Sequence, residues 1–293
     1  KSAELCLRVL PDDVTPSYVE IWFPAGADET TTSITLVRPD GAEIAVSVGN
    51  VAWMYSRKST TVREAMALIT KNGAGGDGLM ALLAFAPTEN GTAMAGLWKI
   101  KVKSEKLFSE PVHAYVERDN AMFDPARPRG RQSHFVDRSD TTSFSGTRRQ
   151  ASATPTVGVT GAGTLNSLAT GRRTIVVGSY VHTSGKSPSR YSSAGPSRIV
   201  GDKRDRPTVC AVSDDSPMLS GINVAATISG TVTRLSGTSL AAPQVGALIA
   251  GAMSHGHINS HLKPEQWLQQ KLTEDPRTPN SPIGGGEFSV AVV

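Results

Sequence analysis

The residues best suited to chemistry lie in one run, Ser236-Gly-Thr-Ser-Leu-Ala-Ala-Pro-Gln-Val-Gly-Ala247. Small and apolar residues continue from Ser239 to Gly256, a pattern that predicts a helix over 239–256 closed by the glycine. A serine at the start of such a helix aims its hydroxyl out of the first turn, and its own N–H is one of the unpaired donors there. The helix dipole adds partial positive charge at the same end. Both would stabilise an oxyanion forming on a carbonyl beside the hydroxyl, which is the requirement of acyl transfer. Ser239 is therefore the candidate nucleophile. Gly237 allows the preceding turn to approach a substrate backbone closely, and Ser236 and Gly237 are read as bordering that backbone. Pro243 reads as a first-turn proline whose missing N–H breaks no helical bond. Taken alone, Gly-Thr-Ser fits equally a buried helix capped by Thr238 or Ser239.

A serine hydroxyl is a weak nucleophile without an adjacent base. His113 and His134 fall in a β-rich region and the connection after it, and His182 ends a strand-like run. His255, His257 and His261 follow the predicted helix, about 24 Å from Ser239 by helical rise. No histidine or aspartate is assigned to catalysis. The three late histidines have no nearby cysteine or carboxylate to complete a ligand set, so no metal and no cofactor are expected. Gly73-Ala-Gly-Gly-Asp-Gly78 matches G-x-G-x-x-G but does not join a strand to a helix, and it reads as a hairpin loop. Asn90-Gly-Thr92 has the form of a glycosylation acceptor, which without a known compartment counts as a chance match. Arg127, Arg129 and Arg131 read as a solvated connection, with an anion-binding or accessible processing segment as alternatives.

The elements that must position Ser239 follow from the rest of the chain. Its 293 residues allow about two domains. Hydrophobic residues at 39% and charged residues at 19% are ordinary for a globular protein, and a net charge of +4 does not argue for a nucleic-acid or membrane partner. No stretch reaches the ~18 apolar residues of a membrane span. Two distant cysteines, Cys6 and Cys210, exclude a disulfide scaffold and read as buried thiols. Residues 1–118 hold short strand-like runs separated by turn formers, such as YVEIWF (18–23), SITLVR (33–38) and LWKIKV (97–102), and predict a β-sandwich or jelly-roll domain. One short helix is expected there, over 61–70. Residues 119–155 lack a hydrophobic period and read as a connection. Residues 156–293 read as α/β: strands at 173–181 and 206–213, the helix carrying Ser239, a second helix beginning at Pro264, and a closing strand over 284–293. The chain opens on Lys1 without a secretory signal, as expected of a fragment or a processed subunit.

Gly237-Thr-Ser239-Leu-Ala-Ala-Pro-Gln-Val-Gly246 resembles the nucleophile motif of the subtilisin-like serine proteases (peptidase S8, subtilases), G-T-S-x-A-x-P-x-V-A/G. Gln244 stands where histidine is common in that family, at a position that is not catalytic there. Upstream, TIVVGSYV (174–181) is similar to the family strand I-x-V-G-A-V, and RYSSAGPS (190–197) to its F-S-S-x-G-P turn. RPTVCAVS (206–213) is similar to K-P-D-V-x-A-P-G, with Val212 and Ser213 replacing Pro-Gly. HLKPEQWLQQKL (261–272) and GGGEF (284–288) resemble the helix and closing segment that follow. The N-terminal region is similar to the jelly roll inserted in Csp-type germination proteases of spore-forming clostridia. The resemblance implies a bacterial, secreted or extracytoplasmic serine endopeptidase acting on a peptide or protein substrate, with Ser239 as nucleophile. It also implies an aspartate in D-S/T-G, a histidine in H-G-T-x-V-A and an oxyanion asparagine, none of which this chain contains. The expected partner is accordingly an N-terminal catalytic half, from the same precursor or a separate chain. The alternative is a non-catalytic pseudoprotease or interaction module.

Overall fold

The structure, a computed structural model of the chain, describes residues 2–24, 26–71, 78–88, 91–105, 111–117, 130–136, 163–171, 173–183, 187–189, 191–197, 207–259 and 261–274. It divides into two compact units, residues 1–146 and 160–293, with the intervening residues shared between them.

The first unit is built from strands β1 (Ser2–Val9), β2 (Ser17–Trp22), β3 (Ser33–Val37), β4 (Glu43–Ser47), β5 (Val51–Tyr55), β6 (Arg63–Lys71), β7 (Leu79–Phe85), β8 (Gly96–Lys103), β9 (His113–Val116) and β10 (His134–Val136). They form two antiparallel five-stranded sheets, in the orders β10-β1-β8-β3-β4 and β5-β6-β7-β2-β9. Period-two alternation decides which face turns inward. In β8, Trp98, Ile100 and Val102 are buried while Lys99, Lys101 and Lys103 are exposed. The inner faces of both sheets share one core, in which the Phe85 and Trp98 rings meet edge to face at 4.9 Å. Such a pair adds about 0.5–1.5 kcal/mol beyond its buried area.

Two expectations for this unit change. The helix expected over 61–70 is the strand β6, paired with β5 on one side and β7 on the other. Ala65, Ala67 and Leu68 favour a helix intrinsically, but burial runs at alternate positions through Ala65, Ala67 and Ile69, and ladders on both edges override the local preference. Within the stretch read as a connection, His134–Val136 forms β10 against β1, through Arg8↔His134 to Cys6↔Val136.

The second unit contains a 3-10 turn (Ser167–Thr170), parallel strands β11 (Val177–Val181) and β12 (Val209–Asp214), the hairpin strands β13 (Ile222–Ala225) and β14 (Val232–Leu235), and helices α1 (Thr238–Ser254) and α2 (Pro264–Glu274). Helix α1 lies on β11 and β12. Its Ala241, Val245 and Ala252 join Val209, Ala211, Trp267 and Leu268 in a second core. Gly178 permits the close approach of β11 to its neighbours, since a Cβ there would lie 2.7 Å from Cys210 Sγ and 3.0 Å from Ser192 Oγ. Both cysteines are buried, and neither forms a disulfide among the described residues.

Pro243 is not a first-turn residue. With Thr238 as the first helical residue it stands sixth, so its missing N–H deprives the Ser239 carbonyl of its i+4 donor. The hairpin β13–β14 and the 3-10 turn are additions to the expected elements. The expected strand over 284–293, the glycine-rich loop over 73–77, Asn90, Arg127 and Arg129 lie outside the described residues. Among the described residues no helix is long and apolar enough to cross a membrane.

Candidate active site

The site is the junction where β14 passes into α1. Gly237 is the N-cap of the helix, with φ 136 and ψ 152, a conformation open to glycine and strained for other residues. Its carbonyl accepts the Leu240 N–H at 3.0 Å, which tightens the first turn. Ser239 is exposed in that turn, while Ser236 and Gly237 are half-buried just before it. Among the described residues nothing accepts the amide hydrogens of Thr238 and Ser239, as at any helix start. No described histidine or carboxylate hydrogen-bonds the Ser239 hydroxyl. The arrangement thus presents a hydroxyl and free amides on one side of a helix N-terminus.

A buried carboxylate lies beneath this junction. Asp214, at the end of β12, is 5% exposed. Its Oδ2 accepts the Ser189 hydroxyl at 2.5 Å and the Tyr191 hydroxyl at 2.7 Å, and its Oδ1 accepts the Gly221 N–H at 2.7 Å. Burial pushes the Asp214 carboxyl up, but the three hydrogen bonds outweigh it and hold the group below the usual carboxylate value. The Tyr191 oxygen in turn accepts the Gly237 N–H at 2.9 Å and lies 2.8 Å from Ser213 Oγ. Since the one phenolic hydrogen goes to Asp214, the Ser213 hydroxyl donates to Tyr191, and every position on that oxygen is used. Burial raises the phenol above its usual value, and the bond to Asp214 adds to the rise.

Gln244 ties the helix to the strand. Its Nε2 donates to the Val212 and Leu240 carbonyls, each at 2.8 Å, and its buried Oε1 has no partner among the described residues. A cleft of about 330 Å³ reaches Thr238 and is lined by Asn166, Ile175, Val177, Gly178 and Ser193 among others.

The late histidines lie at the other end of α1. His255 Nδ1 is 2.8 Å from the Gly251 carbonyl, and the His255 and His257 rings stack at 6.2 Å at the far end of α1. The His182 amide donates to the Asp214 carbonyl, and His134 Nδ1 is 3.4 Å from the Gln132 carbonyl. No group of three or more His, Cys, Asp or Glu residues that could hold a metal occurs among the described residues. Sequence reasoning thus singled out Ser236, Gly237 and Ser239 but not Tyr191, Asp214, Ser189 or Ser213. The one local signal was an aspartate ending an apolar strand, where a charge is not buried without partners.

Residues 137–281 match the model of the subtilase family, peptidase S8. Among solved structures, the chain is similar to the CspB protease of Clostridium perfringens, with a TM-score of 0.60 and 17% identity. That similarity covers 98% of this chain and 53% of the protease, so the chain spans about half the length of that structure. No curated protein matches the chain. The matched residues include β11, β12, α1 and Ser239.

Proposed function

We propose that the chain is the nucleophile-bearing half of a subtilisin-class serine endopeptidase and is incomplete by itself. The observation that carries this reading is the placement of Ser239: exposed in the first turn of α1, after a glycine N-cap, within the subtilase match. The Ser239 oxygen attacks the scissile carbonyl carbon while a base takes its proton. The Ser239 N–H supplies one donor to the resulting oxyanion. The amine leaves with the proton, and water then hydrolyses the acyl-enzyme. Ser236 and Gly237 border the peptide backbone.

The base comes from an N-terminal half. Helix α1 contains no charged residue, yet Ala242, Ala247 and Ala250 are exposed and Met253 is 56% exposed. A helix apolar around its whole circumference is ordinarily covered on all sides. These features favour a partner of this fold over a free-standing enzyme. The first unit is read as a jelly roll. In support, β1 pairs with β8 and β2 with β7, the nested first-to-last pairing of a rolled-up ribbon, although the inner strands regroup as the hairpins β3–β4 and β5–β6.

Removing the histidine from a complete subtilase triad lowers turnover about 10⁶-fold, so the isolated chain is expected to show no measurable peptidase activity. Co-expression with a half carrying the D-S/T-G and H-G-T motifs, followed by a serine-directed fluorophosphonate, should label Ser239, and Ser239→Ala should abolish labelling. An unlabelled reconstituted pair would count against the reading and favour the second one. That second reading, a pseudoprotease or interaction module, is motivated by the absence of any described base at the Ser239 hydroxyl.

A further inference from the structure

We propose that Tyr191 and Asp214 are positioning residues for Ser239, a part-buried clasp that closes the base of the β13–β14 hairpin and sets the backbone from which the serine projects. The inference rests on the reading of Ser239 as nucleophile.

The hairpin leaves the protein body at Gly221 and returns at Gly237. Asp214 holds both ends: its Oδ1 takes the Gly221 N–H directly, and its Oδ2 takes the Tyr191 hydroxyl, whose oxygen takes the Gly237 N–H. The Gly237 amide is the last backbone donor before the helix, two residues ahead of Ser239. Fixing it fixes the direction in which the first turn starts. Charge-assisted bonds of 2.7 Å to a carboxylate are stronger than neutral ones, and a fully satisfied buried network is rigid. Attack by a hydroxyl needs its oxygen held within a few tenths of an ångström of a productive position. The hairpin has little packing of its own, since β14 is exposed at every position and Ile228 and Val232 are 70% and 72% exposed; its ladder and the Arg234 bond to the Gly221 carbonyl at 2.6 Å join its two strands to each other. The clasp is what ties its returning end to β12.

The clasp is a departure from the family pattern. The similar turn, F-S-S-x-G-P, opens with phenylalanine, so the Tyr191 hydroxyl is an addition at a site that already accepts an aromatic ring. Likewise Ser213, the second donor to that hydroxyl, stands where the motif has glycine. Tyr191→Phe should therefore fold, which makes it the test variant.

The first measurement uses the full chain and needs no activity: amide hydrogen exchange at Gly237 and Gly221 by NMR with glycine-selective labelling. In Tyr191→Phe, exchange at Gly237 should rise about fivefold or more, the worth of one hydrogen bond, while Gly221 is unchanged. In Asp214→Asn both amides should exchange faster. Unchanged protection of Gly237 in Tyr191→Phe would overturn the clasp. The second measurement uses the reconstituted pair. Tyr191→Phe should lower kcat and the fluorophosphonate labelling rate while leaving KM unchanged, and a melting curve matching wild type should separate this from loss of fold. If wild type labels and Tyr191→Phe labels at the same rate, the positioning role fails alone. If wild type does not label, the reading of Ser239 fails, and the positioning role with it.

Discussion

Asp214 and Tyr191 couple the stability of the second unit to pH. The Asp214 carboxyl lies below its ordinary value of 3.8 in the folded chain. A group depressed on folding contributes stability that is present above its unfolded value and lost as pH falls through its folded value. The advantage of wild type over Asp214→Asn should therefore be constant at neutral pH and shrink below about pH 3.8. Urea unfolding of both proteins across that window checks it, and a difference that stays constant to pH 2.5 or so would refute the assignment. At the other end of the same bond, Gly221 has φ +82, and a Cβ would lie 2.6 Å from the Leu235 carbonyl oxygen. Gly221→Ala should cost about 1–3 kcal/mol of stability, read as a lower urea midpoint. Neither residue was legible as part of the site, because a single aspartate and a single glycine do not announce a contact at the ends of a hairpin.

Among the elements, α1 was legible in nearly its full extent, because a run of mostly small and apolar residues ends two positions before Gly256, which has φ +73. The place of Pro243 in it was not. The helix begins at Thr238, one residue before the expected start, and the proline falls in the second turn. Pro243→Ala restores a donor to the Ser239 carbonyl and should stabilise the second unit by at most about 3 kcal/mol, measured by thermal or urea unfolding. In the first unit, the end of β3 depends on Arg38, whose side chain is 3% exposed. It meets Asp40 at 2.8 Å and Glu64 at 2.7 Å and donates to the Tyr55 carbonyl at 3.0 Å. Removing one partner of a buried pair leaves the other charge uncompensated, so Arg38→Ala should destabilise this unit by about 3–5 kcal/mol. Loss of less than about 1 kcal/mol would show that water reaches Glu64 freely in the variant.

At the scale of the molecule, each unit has a hydrophobic core of its own. A unit with its own core is expected to fold alone. Residues 1–146 expressed separately should give a β-type circular dichroism spectrum and one cooperative melt, and the absence of a cooperative transition would refute this independence. The second unit differs in that its helix α1 leaves apolar surface uncovered. Binding of an N-terminal half should cover the exposed face of α1 and raise the melting temperature of the second unit, as any ligand of the folded state does.

The amino-acid sequence by itself determined the period-two strands of the first unit and the serine at the head of a small-residue helix. These are local patterns, since alternation, helical spacing and a long contiguous motif need no distant contact to be read. Only the tertiary structure decided that residues 63–71 are a strand, because two neighbouring ladders outweigh the helix preference of alanine and leucine. It alone placed His134–Val136 in a sheet, and it alone brought Tyr191 and Asp214 beneath Gly237. Those contacts join residues 23 and 46 positions apart. A hydroxyl and a carboxylate carry no sequence period that would announce such a meeting.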